Sequence, residues 1–424
     1  MENIVILGIN ISTKSKIEIL KRISAFLNDG RQHALVTPNP EFLIEAHKNE
    51  EFFYVLNHAD LAVSDGSGLT LAALFLGERL HRFPGADLVL EICRMAEREG
   101  KSIFLLGGEF GEGKEAAEKL RSFFPELKIA GAEAGLKKGK WKLERGEWLE
   151  GKAENDELLR KINAAKPDII FTAFNHPRQE IWNFHNLPLM PSVKIAAGVG
   201  GTFNFLAGRV KRAPRIMRSL GLEWLWRLIL EPWRLKRIID AVIVFPLKFF
   251  RWRFINPHLY RQNVACLLYK KEEGKYKILI LERADQAGYW QVPQGGTDGE
   301  NLARAGRREL QEELNVDKIK NIKFFSGVYK YKFGNGLGKY GGAANKIGGY
   351  KGQSQSLVIA EFAGVDSDIK INFWDHSAWK WVNSENFIAE LHPTRRESGS
   401  IFLEKLKEIT ADKTDGKFDR SGMI

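Results

Sequence analysis

Short apolar runs alternate with longer amphipathic stretches over the first two hundred residues. Apolar residues with helical spacing occupy 14–27, 86–99 and 113–124, between the apolar runs. This repeated order of strand and helix predicts an α/β fold built on a mostly parallel sheet. The charged stretch 136–156 has few branched apolar residues, so we expect it to be a surface excursion. The runs that predict strands are 4–7, 33–36, 60–63, 102–106, 168–172 and 193–197.

Polar or glycine-rich segments follow the predicted strands. In a parallel sheet such segments gather at the carboxyl edge, where ligands bind. Asp65 is a candidate catalytic group there, although an aspartate in this position also suits a turn or a helix cap. Gly107 and Gly108 precede a helix and suit a diphosphate that rests on backbone N–H groups. The segments are TPNPE (37–41), SDGSG (64–68), GGEFG (107–111), FNHPRQE (174–180) and GVGGTF (198–203).

After Ala207 the pattern changes to a basic, Trp-rich helical segment that ends near Ile255. It contains twelve Lys or Arg residues and three acidic ones, so most of the chain's net charge of +11 lies in it. Such a band predicts an anionic partner, which can be phosphate, acidic lipid or nucleic acid. One helical face is apolar and suits either packing in a protein core or lying in a lipid headgroup layer. This face consists of Leu222, Leu225, Trp226, Ile229 and Trp233.

Three carboxylates lie close together in the second half of the chain. Glu309, Glu312 and Glu313 fall at i, i+3 and i+4, on one face of a predicted helix. Their oxygen atoms suit a hard divalent cation, Mg²⁺ or Mn²⁺, and an exposed charged helix is the alternative. The preceding turn at Gly295 and Gly296 lets the backbone approach a ligand. Strands are predicted before and after this helix, from residue 264 onward.

The segments at the sheet edge, together with RFPGADL (82–88) and LEWLWR (222–227), resemble the WecG/TagA/CpsF glycosyltransferase family. The resemblance covers nearly all of residues 1–245 and implies a Rossmann-like core. It further implies transfer of an N-acetylmannosamine-type sugar from a UDP-sugar donor to a polyprenyl-diphosphate-linked acceptor, without a metal cofactor. Asp65 is then the general base and Thr37 orients the acceptor or the donor. In this family the carboxyl-terminal appendage docks on the membrane.

Substrate contacts are predicted both at the sheet edge and in the basic segment. At the edge they are Asn39, Gly107, Gly108, Gln179 and Glu180. In the basic segment the candidates for contact with phosphate are Arg209, Arg212, Arg215 and Arg227.

The stretch WQVPQGGTDGENLARAGRRELQEELNV (290–316) resembles the Nudix box. With GQSQ (352–355), it is most similar to the RNA pyrophosphohydrolase and dinucleoside polyphosphate hydrolase branch. The resemblance implies an α/β/α sandwich and Mg²⁺-dependent attack of water on a phosphoanhydride, with Gly295 and Gly296 at the substrate. Asn315 stands where the family has glycine, which asparagine can replace at positive φ. Glu309 and Glu313 are the implied metal ligands, with Glu312 as ligand or base, so that Glu312 and Glu313 are the catalytic candidates.

The resulting organisation is a glycosyltransferase core (1–206), a basic appendage facing the membrane (207–255), a Nudix domain (262–410) and a disordered tail (411–424). Two distant cysteines suit a reducing cytosol, and the amino terminus lacks a basic signal-peptide region. The longest apolar run, 238–250, is shorter than the about 20 residues that span a bilayer.

We therefore expect a bifunctional enzyme that is cytoplasmic and peripheral at the inner face of the plasma membrane, with an anionic membrane surface as a partner. The alternative is a nucleotide or RNA 5′-end pyrophosphohydrolase that the first domain targets or regulates. The sequence makes no prediction of the oligomeric state.

Overall fold

The computed structural model describes residues 2–108, 111–136, 139–144, 146–214, 216–217, 221–333 and 348–411. The chain divides into two compact units, Met1–Phe254 and Ile255–Ile424. The predicted tail lies outside the described residues except for Ala411. Each unit is described here by itself.

The first unit contains a six-stranded parallel sheet with the strand order β4-β3-β10-β9-β5-β6. Successive residues of its strands point to opposite faces, as the two-residue period of a strand requires. In β5, Ile103 and Leu105 join one core cluster, while Phe104 and Leu106 join the cluster on the other face. The strands of this unit are β1 (Asn3–Ile6), β2 (Ile9–Ser12), β3 (His33–Val36), β4 (Leu61–Ala62), β5 (Ser102–Gly107), β6 (Lys128–Glu133), β7 (Lys142–Glu144), β8 (Glu147–Glu150), β9 (Ile169–Ala173) and β10 (Ile195–Gly198).

Helices cover both faces of this sheet, which explains why its strands are mostly apolar, except for the partly exposed edge strand β6. Asn39 and Asn49 begin two of them by accepting a hydrogen bond from a backbone N–H of the first turn. The helices are α1 (Lys16–Asn28), α2 (Pro40–Ala46), α3 (Glu50–His58), α4 (Ser67–Phe75), α5 (Gly85–Arg98), α6 (Glu112–Phe123), α7 (Lys152–Ala165), α8 (Arg178–Asn186) and α9 (Thr202–Leu206), with a 3-10 turn at Leu187–Leu189. The predicted α/β architecture with a mostly parallel sheet is confirmed.

Two details of the prediction are wrong. The apolar run at 4–7 lies outside the parallel sheet, because β1 pairs with β2 as an antiparallel hairpin. The stretch 136–156 is more than a surface excursion, because Leu136 and Trp141 are buried in a core cluster with Trp182. Strands β7 and β8 and the start of α7 also lie in this stretch, so its many charges occupy only its outer side.

The basic segment forms an arm of short helical pieces. Pro232 ends the first helix, as its missing N–H predicts. The arm packs on the core through Ile238, Phe245 and Phe249, which are buried. The pieces are α10 (Glu223–Leu230), a 3-10 turn (Pro232–Arg234), α11 (Leu235–Ile239), a π turn (Asp240–Val244), α12 (Phe245–Phe250) and a second π turn (Arg251–Ile255).

The opposite side of the arm is apolar and exposed. Trp233 is 75% exposed and Leu247 is 66% exposed. Helix α10 buries none of its residues, so packing of the predicted apolar face in the core is wrong for Ile229 and Trp233. In the described part of the chain, no helix combines the length and the apolar character that crossing a bilayer needs. The outer face of the arm consists of Ile229, Trp233, Leu235, Ile243, Leu247 and Phe250.

The second unit is a sheet covered by a helix on each face. Helix α13 (Leu302–Leu314) packs on one face with Val264 and Cys266, and α15 (Arg396–Ala411) packs on the other with Ala265 and Leu267. This is the predicted α/β/α sandwich. The remaining elements are β11 (Tyr260–Glu272), β12 (Lys275–Arg283), β13 (Trp290–Gln291), β14 (Gln294–Gly296), β15 (Ile319–Lys332), β16 (Gly352–Phe362), β17 (His376–Asn383), α14 (Phe387–Glu390) and 3-10 turns at Asn256–His258, Asp366–Asp368 and Pro393–Arg395.

The sheet of the second unit is mixed. Its main strand order is β13-β12-β11-β16-β15, while β14 pairs with β11 and β17 pairs with β12. Strands β11 and β16 run parallel, and the other pairs are antiparallel. The pairing of β14 with β11 fixes the glycine turn immediately before α13.

The end of α13 provides a test of the fold. Asn315 has φ +58° and its N–H closes the helix on Gln311, so a left-handed residue is required there. We expect Asn315→Ala to lower the free energy of unfolding by about 1 kcal/mol, because a Cβ without a compensating side chain is strained in this conformation. Asn315→Gly is the control, with a change within about 0.5 kcal/mol. Urea denaturation of the intact chain measures both; alanine and glycine variants of equal stability would contradict the assignment.

Candidate functional site

Thr37 and Asp65 meet at the carboxyl edge of the parallel sheet. They follow the neighbouring strands β3 and β4, and the Asp65 N–H donates to the Pro38 carbonyl at 2.9 Å. A Cβ added to Gly85 would lie 3.7 Å from both Thr37 Oγ1 and Asp65 Oδ2. The Gly85 N–H also donates to Asp65 Oδ2 at 3.2 Å. Thr37 and Asp65 are each only partly exposed, and their hydroxyl and carboxylate lie at one point of the edge.

Charged groups on the arm and the core set the ionisation of Asp65. Burial raises the pKa of Asp65, whereas Arg82 opposes the rise and Glu223 adds to it. Arg82 and Glu223 form an ion pair at 2.7 Å that joins the core to the first helix of the arm. A carboxylate with a raised pKa binds a proton more strongly, which suits a general base.

The other predicted contacts at this edge have structural partners. The side chain of Asn39 caps α2 by accepting the Phe42 N–H at 3.1 Å. Gly107 is left-handed and lies so near Ala173 that a Cβ would approach its backbone to 2.7 Å. The Gly108 N–H donates to the Ala173 carbonyl at 3.3 Å. These residues shape the edge, and their contact with substrate remains a prediction.

Gln179 and Glu180 lie buried beneath the glycine loop 198–201. Gln179 accepts the Gly200 N–H at 3.0 Å and donates to Glu180 at 2.6 Å. A Cβ on Gly198 would come within 2.7 Å of the Gln179 amide. Burial raises the pKa of Glu180 to about 8, so its neutral form is favoured at neutral pH. The pair supports the loop from below, and direct contact with substrate remains a prediction.

The predicted phosphate-binding arginines do not all converge. Arg209 pairs with Glu115 on α6 at 2.7 Å, and Arg212 pairs with Asp87 on α5 at 2.6 Å. Arg227 lies at the glycine loop, 3.2 Å from the position of a Cβ on Gly201. Arg215 lies outside the described residues.

Sequence reasoning missed part of this cluster. Arg234 also borders Gly201 and pairs with Glu231 at 2.9 Å. Arg227, Glu231 and Arg234 are spaced by four and seven residues, and this spacing, which places them on one helical side, is the signal that could have identified them. Arg237 pairs with Glu41 and approaches His176, whose pKa is lowered to about 3 by burial and by the cations Arg237 and Arg234.

The acidic face of the second unit is organised by Arg308. Its guanidinium donates to Glu300, Glu309 and Glu312 at 2.7–2.8 Å. A fourth contact reaches the Gly296 carbonyl at 2.6 Å, which ties the helix to the glycine turn. Burial opposes the charge of Arg308, but the surrounding carboxylates outweigh it and raise its pKa. These carboxylates form one linked cluster, and the exposed-helix alternative is wrong for Glu309 and Glu313, which are buried, whereas the side chain of Glu312 is 43% exposed.

Two of the three predicted metal ligands are buried. Glu313 accepts the Gln294 N–H at 3.0 Å, and a Cβ at Gly295 would overlap the carboxylate of Glu309. His376, which no sequence pattern indicated, lies 3.4 Å from Glu313. Among the described residues, no three acidic, histidine or cysteine side chains are arranged as a set of metal ligands. The carboxylate oxygens are the donor type that Mg²⁺ and Mn²⁺ prefer, and metal binding remains a prediction.

Known families match both units. Residues 4–258 match the Glycosyl transferase WecG/TagA/CpsF family, and residues 259–403 match the NUDIX domain. The N-acetylglucosaminyldiphosphoundecaprenol N-acetyl-beta-D-mannosaminyltransferase of Bacillus subtilis (strain 168) is 34% identical, over 48% of this chain and 74% of that protein. The enzyme of the same name from Staphylococcus aureus (strain MRSA252) is 29% identical, over 55% of this chain and 87% of that protein.

Among solved structures, an Ap4A hydrolase of C. elegans is 24% identical, covers 36% of this chain and 98% of its own, and has a TM-score of 0.27. The match to the first family extends over more than half of the chain. The chain therefore belongs to the WecG/TagA/CpsF glycosyltransferase family and carries a Nudix hydrolase domain after its glycosyltransferase unit.

Proposed function

We propose that the first unit transfers an N-acetylmannosamine-type sugar from a UDP-sugar to a polyprenyl-diphosphate-linked acceptor in the synthesis of a cell-envelope polysaccharide. The observation that carries the proposal is the meeting of Thr37 and Asp65 at the carboxyl edge of the sheet. The relatives support the substrate class, because their names describe transfer of N-acetylmannosamine to N-acetylglucosaminyl-diphosphoundecaprenol.

In the proposed reaction, Asp65 accepts the proton of the acceptor hydroxyl as its oxygen bonds to the anomeric carbon. The bond from that carbon to the diphosphate breaks, and UDP leaves with the electron pair. Thr37 orients one of the reacting partners at the same edge. Arg227 and Arg234 are placed at the glycine loop to stabilise the negative charge that develops on the leaving diphosphate.

We propose that the outer face of the arm lies on an anionic membrane. An acceptor with a polyprenyl chain stays in the bilayer, so its enzyme has to reach the headgroup layer. Exposed apolar patches of this kind mark interaction sites. Trp233 and Leu247 provide apolar contact, while Lys and Arg side chains of the same arm attract acidic lipid. This places the enzyme at the periphery of the inner face of the plasma membrane.

For the second unit we propose Mg²⁺-dependent hydrolysis of a nucleoside diphosphate-linked or 5′-triphosphate substrate. Water forms a bond to phosphorus, the bridging P–O bond breaks with its electron pair going to the departing phosphate, and Glu312 accepts the proton of the water. Glu309 and Glu313 would hold the metal, which supplies polarisation of the phosphoryl oxygens. The alternative is that hydrolysis of a nucleotide or an RNA 5′ end is the main activity and that the first unit only targets or regulates it. This alternative is less favoured, because it leaves the juxtaposed Thr37 and Asp65 without a role.

The first test concerns Asp65. We expect Asp65→Asn to lower the transfer rate by about 100-fold or more, because the general base is lost. Arg82→Gln removes a cation that favours the Asp65 carboxylate, so the pKa of Asp65 rises and the acidic limb of the pH–rate profile moves to higher pH. The measurement uses a screen of UDP-N-acetylhexosamines with polyprenyl-diphosphate-GlcNAc, with and without Mg²⁺.

The matched control for Arg82→Gln is Arg98→Gln, which removes the same charge from an exposed position at the end of α5. Its pH–rate profile should equal that of the unmodified enzyme. Near-normal transfer by Asp65→Asn would refute the role of Asp65 as the base. An acidic limb of the pH–rate profile that stays at the same pH in Arg82→Gln would refute it as well.

The second test concerns the Nudix unit. We expect Glu313→Gln to lower Mg²⁺-dependent hydrolysis by about 100-fold or more while sugar transfer continues, because the amide keeps the shape but loses the charge. A dinucleoside polyphosphate and a 5′-triphosphorylated RNA serve as substrates, and released phosphate or pyrophosphate is measured. Glu404→Gln, on the exposed side of α15, is the control. Undiminished turnover by Glu313→Gln would reject the site.

A further inference from the structure

Helix α4 of the core is apolar on its exposed side as well as on its buried side. It buries Leu69, whereas Leu71, Leu74 and Phe75 on the other side are 58%, 57% and 67% exposed. The stretch 67–77 contains no charged residue. A surface helix normally carries polar or charged residues on its outer side, and an exposed apolar patch marks an interaction site. The outer side of α4 is therefore expected to be covered by an apolar partner.

This exposed side continues onto the arm, because α12 lies beside α4. Near the start of α4, Phe245 lies 3.7 Å from the position of a Cβ on Gly68. At the end of α4, the rings of Phe75 and Phe249 lie 6.5 Å apart. Since the exposed Leu247 belongs to the same α12, the outer sides of the two helices adjoin and form one apolar surface.

Cations follow both helices of this surface. Arg79 lies just after α4, and Arg251 and Arg253 lie just after α12, all three of them exposed. Neither the stretch 67–77 nor the stretch 241–258 contains an aspartate or a glutamate. Anionic lipid headgroups would complement these cations, whereas the same surface of a second copy of this chain offers them no carboxylate.

The shape of the surface favours a bilayer over a single isoprenoid chain. Leu74 and Phe75 project from a helix with more than half of their surface exposed. A groove that encloses one chain holds its lining side chains in a recess, where less of their surface is exposed. Insertion at the boundary between headgroups and acyl chains, about 5–10 Å deep, requires only apolar side chains that project in this way.

We propose that α4 inserts its outer side into a bilayer of acidic phospholipid together with the arm, so that the core itself contacts acyl chains. The proposed function places only the arm on the membrane, and the present proposal rests on that position. It has a consequence for Asp65, which lies two residues before α4. The exposed row begins one turn into the helix, so an inserted α4 holds the proposed base close to the headgroup layer.

The first test places a label on α4. Cys93 and Cys266 are buried, so the cysteine introduced by Leu74→Cys is the position that should react. Vesicles of phosphatidylglycerol and phosphatidylcholine, without acceptor, should shift the emission of an environment-sensitive fluorophore there to shorter wavelength, and spin labels on the acyl chains should quench it. The matched control is Leu149→Cys, at a position 53% exposed on β8, which should respond to neither.

Three results of this test would overturn the proposal. The absence of a shift and of quenching at position 74 would show that α4 stays in water. A shift that requires polyprenyl-diphosphate-GlcNAc in the vesicles would assign the surface to the chain of the acceptor. A shift that appears without lipid and grows with protein concentration would assign it to a second copy of this chain.

The second test measures affinity. Leu74→Ser/Phe75→Ser should weaken partition into the same vesicles by about tenfold or more, because two apolar contacts with the acyl chains are lost. Leu149→Ser/Phe123→Ser removes similarly exposed side chains elsewhere in the first unit and should partition normally. Both variants should transfer sugar normally to a short-chain, water-soluble acceptor. Unchanged partition by the α4 variant would contradict the proposal.

These measurements separate the proposal from the proposed function. If Trp233→Ser/Leu247→Ser loses vesicle binding while the label at position 74 never responds to vesicles, the arm docks alone and only the role of α4 is rejected. If lipid shifts and quenches the label but no UDP-sugar is transferred to any acceptor, the membrane contact of α4 stands and the proposed transfer is rejected.

Discussion

The ion pair between Arg82 and Glu223 is the interaction on which the first unit depends. It joins the core to the arm at 2.7 Å, and both partners act electrostatically on Asp65. The Ser67 hydroxyl reinforces this junction by donating to the Gly221 carbonyl at 3.1 Å. Docking of the arm and ionisation of the proposed base are therefore linked, because moving Glu223 away would change both.

The arm has opposite chemistry on its two sides. Its inner side places Arg227 and Arg234 at the glycine loop, with Glu231 between them, and buries Phe245 against the core. Its outer side exposes Trp233 and Leu247. We propose that this division lets one segment complete the active cleft and lie on a membrane. In the second unit a guanidinium has a comparable organising role, since Arg308 holds three carboxylates and the glycine turn together.

Local sequence signals predicted much of the architecture. Apolar runs identified five of the six strands of the parallel sheet, and β6 escaped because its residues are only partly buried and include Gly131. Asn315 was expected at positive φ, and its φ is +58°. Helical spacing placed Glu309, Glu312 and Glu313 on one face, and Arg308 of the same helix contacts the first two of them.

Contacts between distant residues could not be predicted in this way. Arg82 and Glu223 are 141 residues apart, and no local pattern pairs them. Burial of Gln179 and Glu180 depends on the approach of the loop 198–201. Tertiary packing likewise decides whether an amphipathic face is covered. For the arm, the sequence therefore left open whether its apolar face packs in a protein core or lies in a lipid headgroup layer.

The most direct test of the central claim is binding of the intact protein to vesicles of phosphatidylglycerol and phosphatidylcholine. We expect the double variant Trp233→Ser/Leu247→Ser to lose most of its sedimentation with these vesicles while it still transfers sugar to a short-chain, water-soluble acceptor. The control Ile17→Ser/Leu189→Ser removes equally exposed apolar side chains outside the arm and should bind normally. Unchanged vesicle binding by the arm variant would contradict the account.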